Sequence, residues 1–250
     1  MNFIGIIPCR LNSTRLPNKP LQKVSNRFLV EIVYNSAKNF FNHNLFIATD
    51  STEIYNVCKN FTNNILITSN EHKSGTDRCA EAISIIEKEI KKNFDIVFNI
   101  QCDELNLNNS HFESLLNAFY DPFTQIATLA KKIEKIEELT NINKVKVVKD
   151  NNNFALYFSR FPIPYQKNLN INVWLLCNNY YKHIGIYAFK KDVLLQITKL
   201  PQTNLEICES LEQLRWLQNS YKIKIVETNI DTISIDTEED LNKANQFYFN

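Results

Sequence analysis

The chain has 250 residues, 44% hydrophobic and 12% aromatic, with a formal net charge of +1. That composition can bury a full core and excludes a disordered chain, and the near-neutral charge gives no case for a nucleic-acid or membrane partner. No apolar run reaches the roughly 18 residues of a membrane span. The start, Met1-Asn2-Phe3-Ile4-Gly5, reads as a first strand rather than a leader. Only 3 residues are glycine, where about 17 would be usual. Arginine stands at positions 10, 15, 27, 78, 160 and 215 alone. In so biased a composition, the surviving Gly and Arg residues mark places where backbone or chemistry needs them. The six cysteines, at 9, 58, 79, 102, 177 and 208, contain no C-x-x-C pair. Free thiols in a reducing cytoplasm are expected, and no zinc site.

In chain order, residues 3–8 form an apolar strand that runs into a loop over 9–19. Apolar positions Leu29, Ile32, Val33, Ala37 and Phe40 predict a helix over 28–41. Residues 45–49 predict a buried strand, 52–61 a helix and 65–68 a short strand. A helix over 76–91 has Ile83, Ile86 and Ile90 on one face, and Ser74 caps it three residues before Asp77. A fourth strand over 96–100 ends at Gln101-Cys102-Asp103-Glu104, and Ser110 with Glu113 opens a further capped helix. Four strand-loop-helix units predict an α/β fold with a mostly parallel sheet. Ligands in such sheets lie beyond the carboxyl ends of the strands.

The second half adds a smaller β-containing region. Strands are expected over 126–131, 145–149, 154–158, 184–189 and 223–227, with a hairpin turn at Asn151-Asn152-Asn153. Residues 162–181 read as irregular and aromatic. Helices are expected over 205–217, capped by Thr203 and Glu206, and over 237–247. With no repeat and no Pro-, Gly- or Ser-rich linker, residues 1–250 read as one domain, with 125–182 an elaborated sub-region.

The first loop carries Arg10, Ser13, Thr14, Arg15 and Lys19 within ten residues. Such cations and hydroxyls suit a polyphosphate, although no Walker motif is present. Asn18 can take the left-handed backbone that glycine usually supplies. Ser74-Gly75-Thr76-Asp77-Arg78 opens a helix, where an anion is favoured and Gly admits a ligand near the backbone; an ordinary cap explains it equally well. Asp103 and Asp236 stand at strand ends as a carboxylate pair of the kind Mg²⁺ takes alongside phosphates. Glu104 reads as structural. His183, Gly185 and Tyr187 share one strand face, and Glu212, Gln213 and Arg215 sit in a helix whose plain reading is a solvated face.

Taken together, the blocks IIPCRLNSTRLPNKPL, IATD, HKSGTDR, NIQCDE, VKVV, ALYFSR, HIGIYAF, LEQLRWL and IDTEEDL closely resemble the 3-deoxy-manno-octulosonate cytidylyltransferase (CMP-Kdo synthetase) family of Gram-negative bacteria. The resemblance runs in register over nearly the whole chain. It implies a GT-A-like, Rossmann-type nucleotidyltransferase fold, a homodimer with 125–182 as the candidate contact region, and Mg²⁺-dependent transfer of CMP from CTP to 3-deoxy-D-manno-octulosonate (Kdo) for lipopolysaccharide biosynthesis. It implies that Arg10, Ser13, Thr14, Arg15 and Lys19 hold the CTP phosphates, and that Ser74, Gly75 and Arg78 line the cytidine side. Gln101 would lie between nucleotide and sugar, Asp103 and Asp236 would bind Mg²⁺, and Arg160, His183, Tyr187, Glu212 and Gln213 would hold the sugar acid. Arg15 and Lys19 would neutralise phosphate charge in the transfer step.

Three positions depart from the family pattern. Cys102 stands where the family has Gly, and a left-handed backbone there would imply strain of order 1–2 kcal/mol. Ser25-Asn26-Arg27-Phe28 replaces Asn-Gly-Lys-Pro, and Asn18 replaces Gly. The alternatives are an 8-amino-8-deoxy-Kdo or other sugar-acid enzyme of the same fold, and a non-catalytic nucleotide-binding homologue.

Overall fold

Apolar runs alternate with amphipathic segments along the first hundred residues, and the computed structural model turns that rhythm into alternating strands and helices. It describes residues 1–11 and 16–249, with side chains to residue 246. The chain divides into two compact units. The first comprises Met1–Glu113, Ala188–Thr198 and the chain from Thr232 onward; the second comprises Ser114–Tyr187 and Lys199–Asp231.

In the first unit the strand Phe3–Cys9 is central. It pairs in parallel with Leu45–Thr49 on one side and with Ile96–Asn99 on the other. The strand Ile65–Ile67 extends the sheet in parallel beyond Leu45–Thr49. This is the parallel sheet expected from the strand-loop-helix repeats, and its carboxyl edge gathers the loops after residues 9, 49, 67 and 99. Helix Leu29–Phe41 buries Leu29, Val30, Ile32, Val33, Ala37 and Phe41. Phe41 rather than Phe40 completes the buried face, yet Phe40 still stacks against Phe112 at 5.5 Å and lies 5.1 Å from Phe3. Phe41 and Phe98 join the same aromatic cluster at 5.0 Å.

Gly5 lies in this core. A Cβ there would come within 2.8 Å of Leu45 Cδ1 and 3.0 Å of Phe41, so the close packing is with this helix and the neighbouring strand. Helix Gly75–Ile90 has the expected capping box, in which Ser74 and Asp77 bond each other's backbone N–H. Ile83 and Ile86 are buried, but Ile90 is exposed; Cys79 and Ala82 complete the inner face instead. Helix Asn109–Asn117 contains Ser110 rather than being capped by it; Asn108 Oδ1 is the acceptor at its start instead.

In the second unit, Lys146–Lys149 and Ala155–Ser159 form the expected antiparallel hairpin, and Asn153 at its turn is left-handed with φ 61°. Strands Ile126–Lys132 and Ile223–Glu227 pair in parallel. The aromatic stretch is less irregular than its sequence suggests. A 3-10 turn, Ile171–Val173, leads into helix Trp174–Cys177. Trp174 and Tyr180 then pack with Ile133 and Leu139 as a buried cluster. The single helix expected over 205–217 is two helices, Asn204–Glu209 and Gln213–Gln218. Ser210 breaks them with φ 52°, a left-handed residue that ends a helix although it is not glycine. The cap at Thr203 and Glu206 is present as expected.

No helix among the described residues is long and apolar enough to cross a membrane.

Candidate functional site

At the carboxyl edge of the parallel sheet in the first unit lies a cavity of about 180 Å³. Pro8, Cys9, Arg10, Lys19, Ser74, Gly75, Arg78, Gln101, Cys102 and Asp103 are among its lining residues. Each reaches it through a local device. Asn18 is left-handed, with φ 53° and ψ 34°, and starts the 3-10 turn Lys19–Leu21. Asn does there what Gly would otherwise do, and Pro20 stiffens the turn. Lys19 is thereby aimed inward. Its Nζ donates to Asp103 Oδ2 at 2.6 Å and to Asp236 Oδ1 at 2.8 Å.

Burial alone would pull the Lys19 ammonium down. The carboxylate of Asp103, then that of Asp236, outweighs it and holds the lysine well above its usual value. Lys19 is therefore a permanent cation. Asp103 immediately precedes Glu104–Leu105 and Asp236 follows Ile233–Ser234 by two residues, and those two segments pair as a short antiparallel ribbon. Two carboxylate oxygens meeting one positive centre is a donor set that suits Mg²⁺, which takes one or two protein carboxylates and completes its shell with phosphate and water. No group of three or more His, Cys, Asp or Glu side chains is placed to hold a metal among the described residues.

Gly75 opens its sixteen-residue helix at the cavity wall. A Cβ on it would approach Pro8 Cγ to 3.1 Å and Gln101 Nε2 to 3.4 Å, so the missing side chain keeps the cavity open beside Gln101. Gln101 donates to Asn99 Oδ1 at 2.8 Å, which fixes its amide. Arg78 is only 2% exposed. Its guanidinium binds Asp50 at 2.6 Å, Thr68 Oγ1 at 2.6 Å and the Ser69 carbonyl at 3.2 Å. It ties together the loops after two strands and forms cavity wall. Arg10 is exposed at the rim. Ser13, Thr14 and Arg15 lie outside the described residues.

Cys102 is not left-handed, because the positive-φ residues of the described chain do not include it. The strain expected from Cys at a glycine position is therefore absent. Ser25 and Asn26, by contrast, have φ 50° and 63° and form a tight turn between Lys23–Val24 and Arg27–Phe28. Glu104, beside Asp103, is buried and its Oε2 has no hydrogen-bond partner. Burial, reinforced by the Asp103 charge, pushes it up to about 7.

Of the sugar-acid candidates, Gln101 belongs to the first unit, and Arg160, His183, Tyr187, Glu212 and Gln213 belong to the second. His183 is half-buried on strand Tyr181–Lys190, and desolvation pushes its imidazole down to about 3. The ring packs edge-on to Phe158 at 5.2 Å and tilted to Tyr187 at 5.3 Å. Tyr187 in turn meets Trp216 edge-on at 5.1 Å, and burial followed by the Glu212 charge keeps its phenol protonated. Glu212 is not mid-helix: it is the residue before helix Gln213–Gln218. Gln213 and Arg215 are buried rather than solvated, and Arg215 forks onto Glu206.

Arg160 gives three of its N–H donors to the carbonyls of Glu209 at 2.7 Å, Ile142 at 3.2 Å and Ser210 at 3.2 Å. Two of the five remain for a ligand. Sequence reasoning did not single out Lys146. It is fully buried, and its ammonium is caged by the carbonyls of Asn141, Lys144 and Arg160. Burial pushes it down to about 8.

A model of the cytidylyltransferase family matches residues 4–225. The chain is 46% identical to a 3-deoxy-manno-octulosonate cytidylyltransferase of Phocaeicola vulgatus, over 99% of this chain and 97% of that one. It is 43% identical to the protein of the same name from Fusobacterium nucleatum, over 98% and 96%. A solved structure of CMP:2-keto-3-deoxy-manno-octonic acid synthetase complexed with CTP superposes with a TM-score of 0.86 at 33% identity, covering 100% of this chain and 99% of that one. A 4-diphosphocytidyl-2C-methyl-D-erythritol synthase from Anaerococcus prevotii, at 14% identity and a TM-score of 0.62, shares the fold alone. With the parallel sheet, the cationic cavity at its carboxyl edge and matches of this extent, the chain belongs to the cytidylyltransferase family, in its 3-deoxy-manno-octulosonate branch.

Proposed function

We propose that the protein transfers CMP from CTP to Kdo, releasing pyrophosphate. The observation that carries this reading is Lys19 held between Asp103 and Asp236 at a cavity that Arg10, Arg78 and a helix N-terminus also line. A triphosphate is a concentrated anion, and fixed cations with a helix N-terminus are its natural receptor. In such transfers positioning and charge neutralisation do most of the catalysis. Lys19 meets phosphate oxygens as a point charge, joined by Arg10 and, in the first loop, by Ser13, Thr14 and Arg15. Ser74, Gly75 and Arg78 shape the nucleoside side, and Gln101 presents a fixed amide toward the sugar. The anomeric hydroxyl of Kdo attacks the α-phosphorus as pyrophosphate leaves.

Asp103 and Asp236 fit a Mg²⁺ ion, which when bound would neutralise phosphate charge and lower the pKa of the attacking hydroxyl. Lys19 would then turn from the aspartates toward the phosphates. Arg160, His183, Tyr187, Glu212 and Gln213 form the sugar-acid set, with neutral groups supplied by His183 and Tyr187. Homodimer formation is part of the same proposal. Residues 125–182 carry Phe161, Tyr165 and Leu176, which are 72%, 75% and 85% exposed, as an apolar surface for a second copy. Six free thiols suit a reducing cytoplasm, where the product would feed lipopolysaccharide synthesis.

Pyrophosphate release from CTP with Kdo, with and without Mg²⁺, tests the reading. The wild type is expected to turn over only with the metal, and Asp103→Asn to lose roughly 10²–10³ in rate, the usual effect of removing one transition-state stabiliser. No release with Kdo or its 8-amino analogue would sink the reaction. An undiminished Asp103→Asn enzyme would sink the metal assignment alone.

A further inference from the structure

The hydroxyl of Thr128 is fully buried on strand Ile126–Lys132. Its oxygen lies 2.7 Å from the Ile186 carbonyl, 3.2 Å from the Ile184 carbonyl and 2.9 Å from His183 Nε2. A hydroxyl has one proton to give. Were it given to the imidazole, two oxygens would face each other at 2.7 Å with nothing between them. The proton therefore belongs to the Ile186 carbonyl, and the 2.9 Å contact is made by a hydrogen on His183 Nε2. The ring has little freedom to choose otherwise. Phe158 and Tyr187 pack against it, and its backbone N–H is bonded to the Val145 carbonyl at 2.8 Å. A neutral imidazole with its hydrogen on Nε2 carries a lone pair on Nδ1. No described residue hydrogen-bonds that nitrogen.

We propose that Thr128 is a positioning residue for the sugar acid: by accepting the Nε2 hydrogen of His183 it fixes the imidazole as an acceptor at Nδ1, which reads a sugar hydroxyl and rejects a carboxylate. The proposal rests on His183 being a sugar contact. It assigns to a threonine of the strand Ile126–Lys132 a part in choosing which face of the substrate meets the histidine. A carboxylate brought to Nδ1 would place two acceptors in contact, so the sugar must be turned with its acid group toward cationic donors. One hydroxyl, or the ammonium of an amino sugar, is the chemical class that fits.

The test uses the full chain. Long-range proton–nitrogen spectra of the ¹⁵N-labelled protein report the tautomer of each histidine, and His183 is assigned as the signal lost in His183→Gln. The wild type is expected to show His183 with its hydrogen on Nε2. Thr128→Val is expected to release that preference, and Thr128→Ser to keep it. In kinetics, Thr128→Val is expected to raise KM for Kdo roughly 3–10-fold, the value of one neutral hydrogen bond. KM for CTP should not change, and Thr128→Ser should restore KM for Kdo. A wild-type hydrogen on Nδ1 would overturn the proposal whether or not any variant folds. So would a Thr128→Val enzyme with unchanged KM for Kdo. If the wild type does not turn over Kdo at all, the reaction reading fails, and with it the sugar role; the spectra then still decide whether Thr128 sets the tautomer.

Discussion

The cavity of the first unit and the sugar-acid set of the second respond in opposite ways to burial. Lys19 is largely buried, yet it stays charged because Asp103 and Asp236 are bonded to it. His183 is half-buried with no carboxylate paired to it among the described residues, and desolvation empties it of charge. Tyr187 is likewise held as a neutral phenol. The lesson is that a buried group keeps its charge only where an opposite charge is fixed within bonding distance. A polyphosphate needs charge, and the proposed receptor supplies it as paired ions that can re-pair with the ligand. Sugar hydroxyls need fixed donors and acceptors, and in the proposed site the neutral ones are the desolvated rings of His183 and Tyr187.

One buried ion pair in the second unit offers the strongest way to break that contrast. Arg215 and Glu206 fork together with both side chains under 10% exposed. Against the upward pull of burial, Arg215 holds the Glu206 carboxyl below its ordinary value. Arg215→Met should leave an uncompensated buried carboxylate and cost about 3–5 kcal/mol of unfolding free energy. The double change Arg215→Met with Glu206→Leu should recover much of that loss. Urea denaturation of the wild type and the two variants checks it. A loss below about 1 kcal/mol in the single variant would mean that the pair is solvated like a surface bridge.

Next in size is the effect on rate of removing the first unit's fixed cation. Lys19→Met keeps the length of the side chain and deletes the charge between Asp103 and Asp236. Pyrophosphate release should slow by roughly 10²–10³, because the charge is needed as phosphate oxygens gain density. The same variant should fold, since the two aspartates are 21% and 29% exposed and can turn to water. A rate within threefold of the wild type would show that Lys19 only pairs the aspartates and never meets the phosphates.

The two regions were not equally legible in the sequence. The parallel sheet followed from local alternation, and the cavity followed from polar residues at strand ends. Arg10, Lys19, Ser74, Gly75, Gln101 and Asp103 all line it together. Asn18 was readable because a left-handed residue before a proline turn has few candidates. What the sequence concealed was long-range. Arg78 is committed to Asp50, twenty-eight positions away, and so is cavity wall before it is a ligand. The break at Ser210 was invisible, because nothing in serine announces a left-handed backbone, and Glu212 consequently moved from mid-helix to a helix start. Thr128 was missed for the same reason: its partners are 55 to 58 positions away. Cys102 raised an expectation of strain that its backbone does not carry.

Glu104 is the exception inside the charged region, and it sharpens the contrast. It sits next to Asp103 but pairs with no cation among the described residues, and its carboxyl is pushed up to about 7. An ordinary glutamate in the unfolded chain titrates near 4.3. The folded state therefore binds the proton more tightly. The stability this adds is present below the unfolded value and is lost as pH rises toward the folded one. Glu104→Gln should remove that loss, making the variant gain on the wild type by on the order of 3 kcal/mol between pH 4.5 and pH 8. Denaturation curves at the two pH values measure the difference. Equal gains at both would show that Glu104 is ionised throughout.

The smallest expected effect is a null one, and it probes the neutral region most directly. If His183 titrates near 3, its ring proton signals should not move between pH 5 and pH 8, whereas an exposed histidine shifts near 6.5. No step in the pH dependence of kcat/KM for the sugar acid over that range would then belong to His183. Stability tells the same story with the opposite sign from Glu104. A histidine depressed in the fold contributes stability that is complete above about 6.5 and falls away as pH drops toward 3. His183→Gln should flatten that acid-side decline while leaving the curve above pH 7 parallel to the wild type. A His183 signal that titrates near 6.5 in the native protein would mean that water or a counter-charge reaches the ring, and the second unit would then keep charge by the same rule as the first.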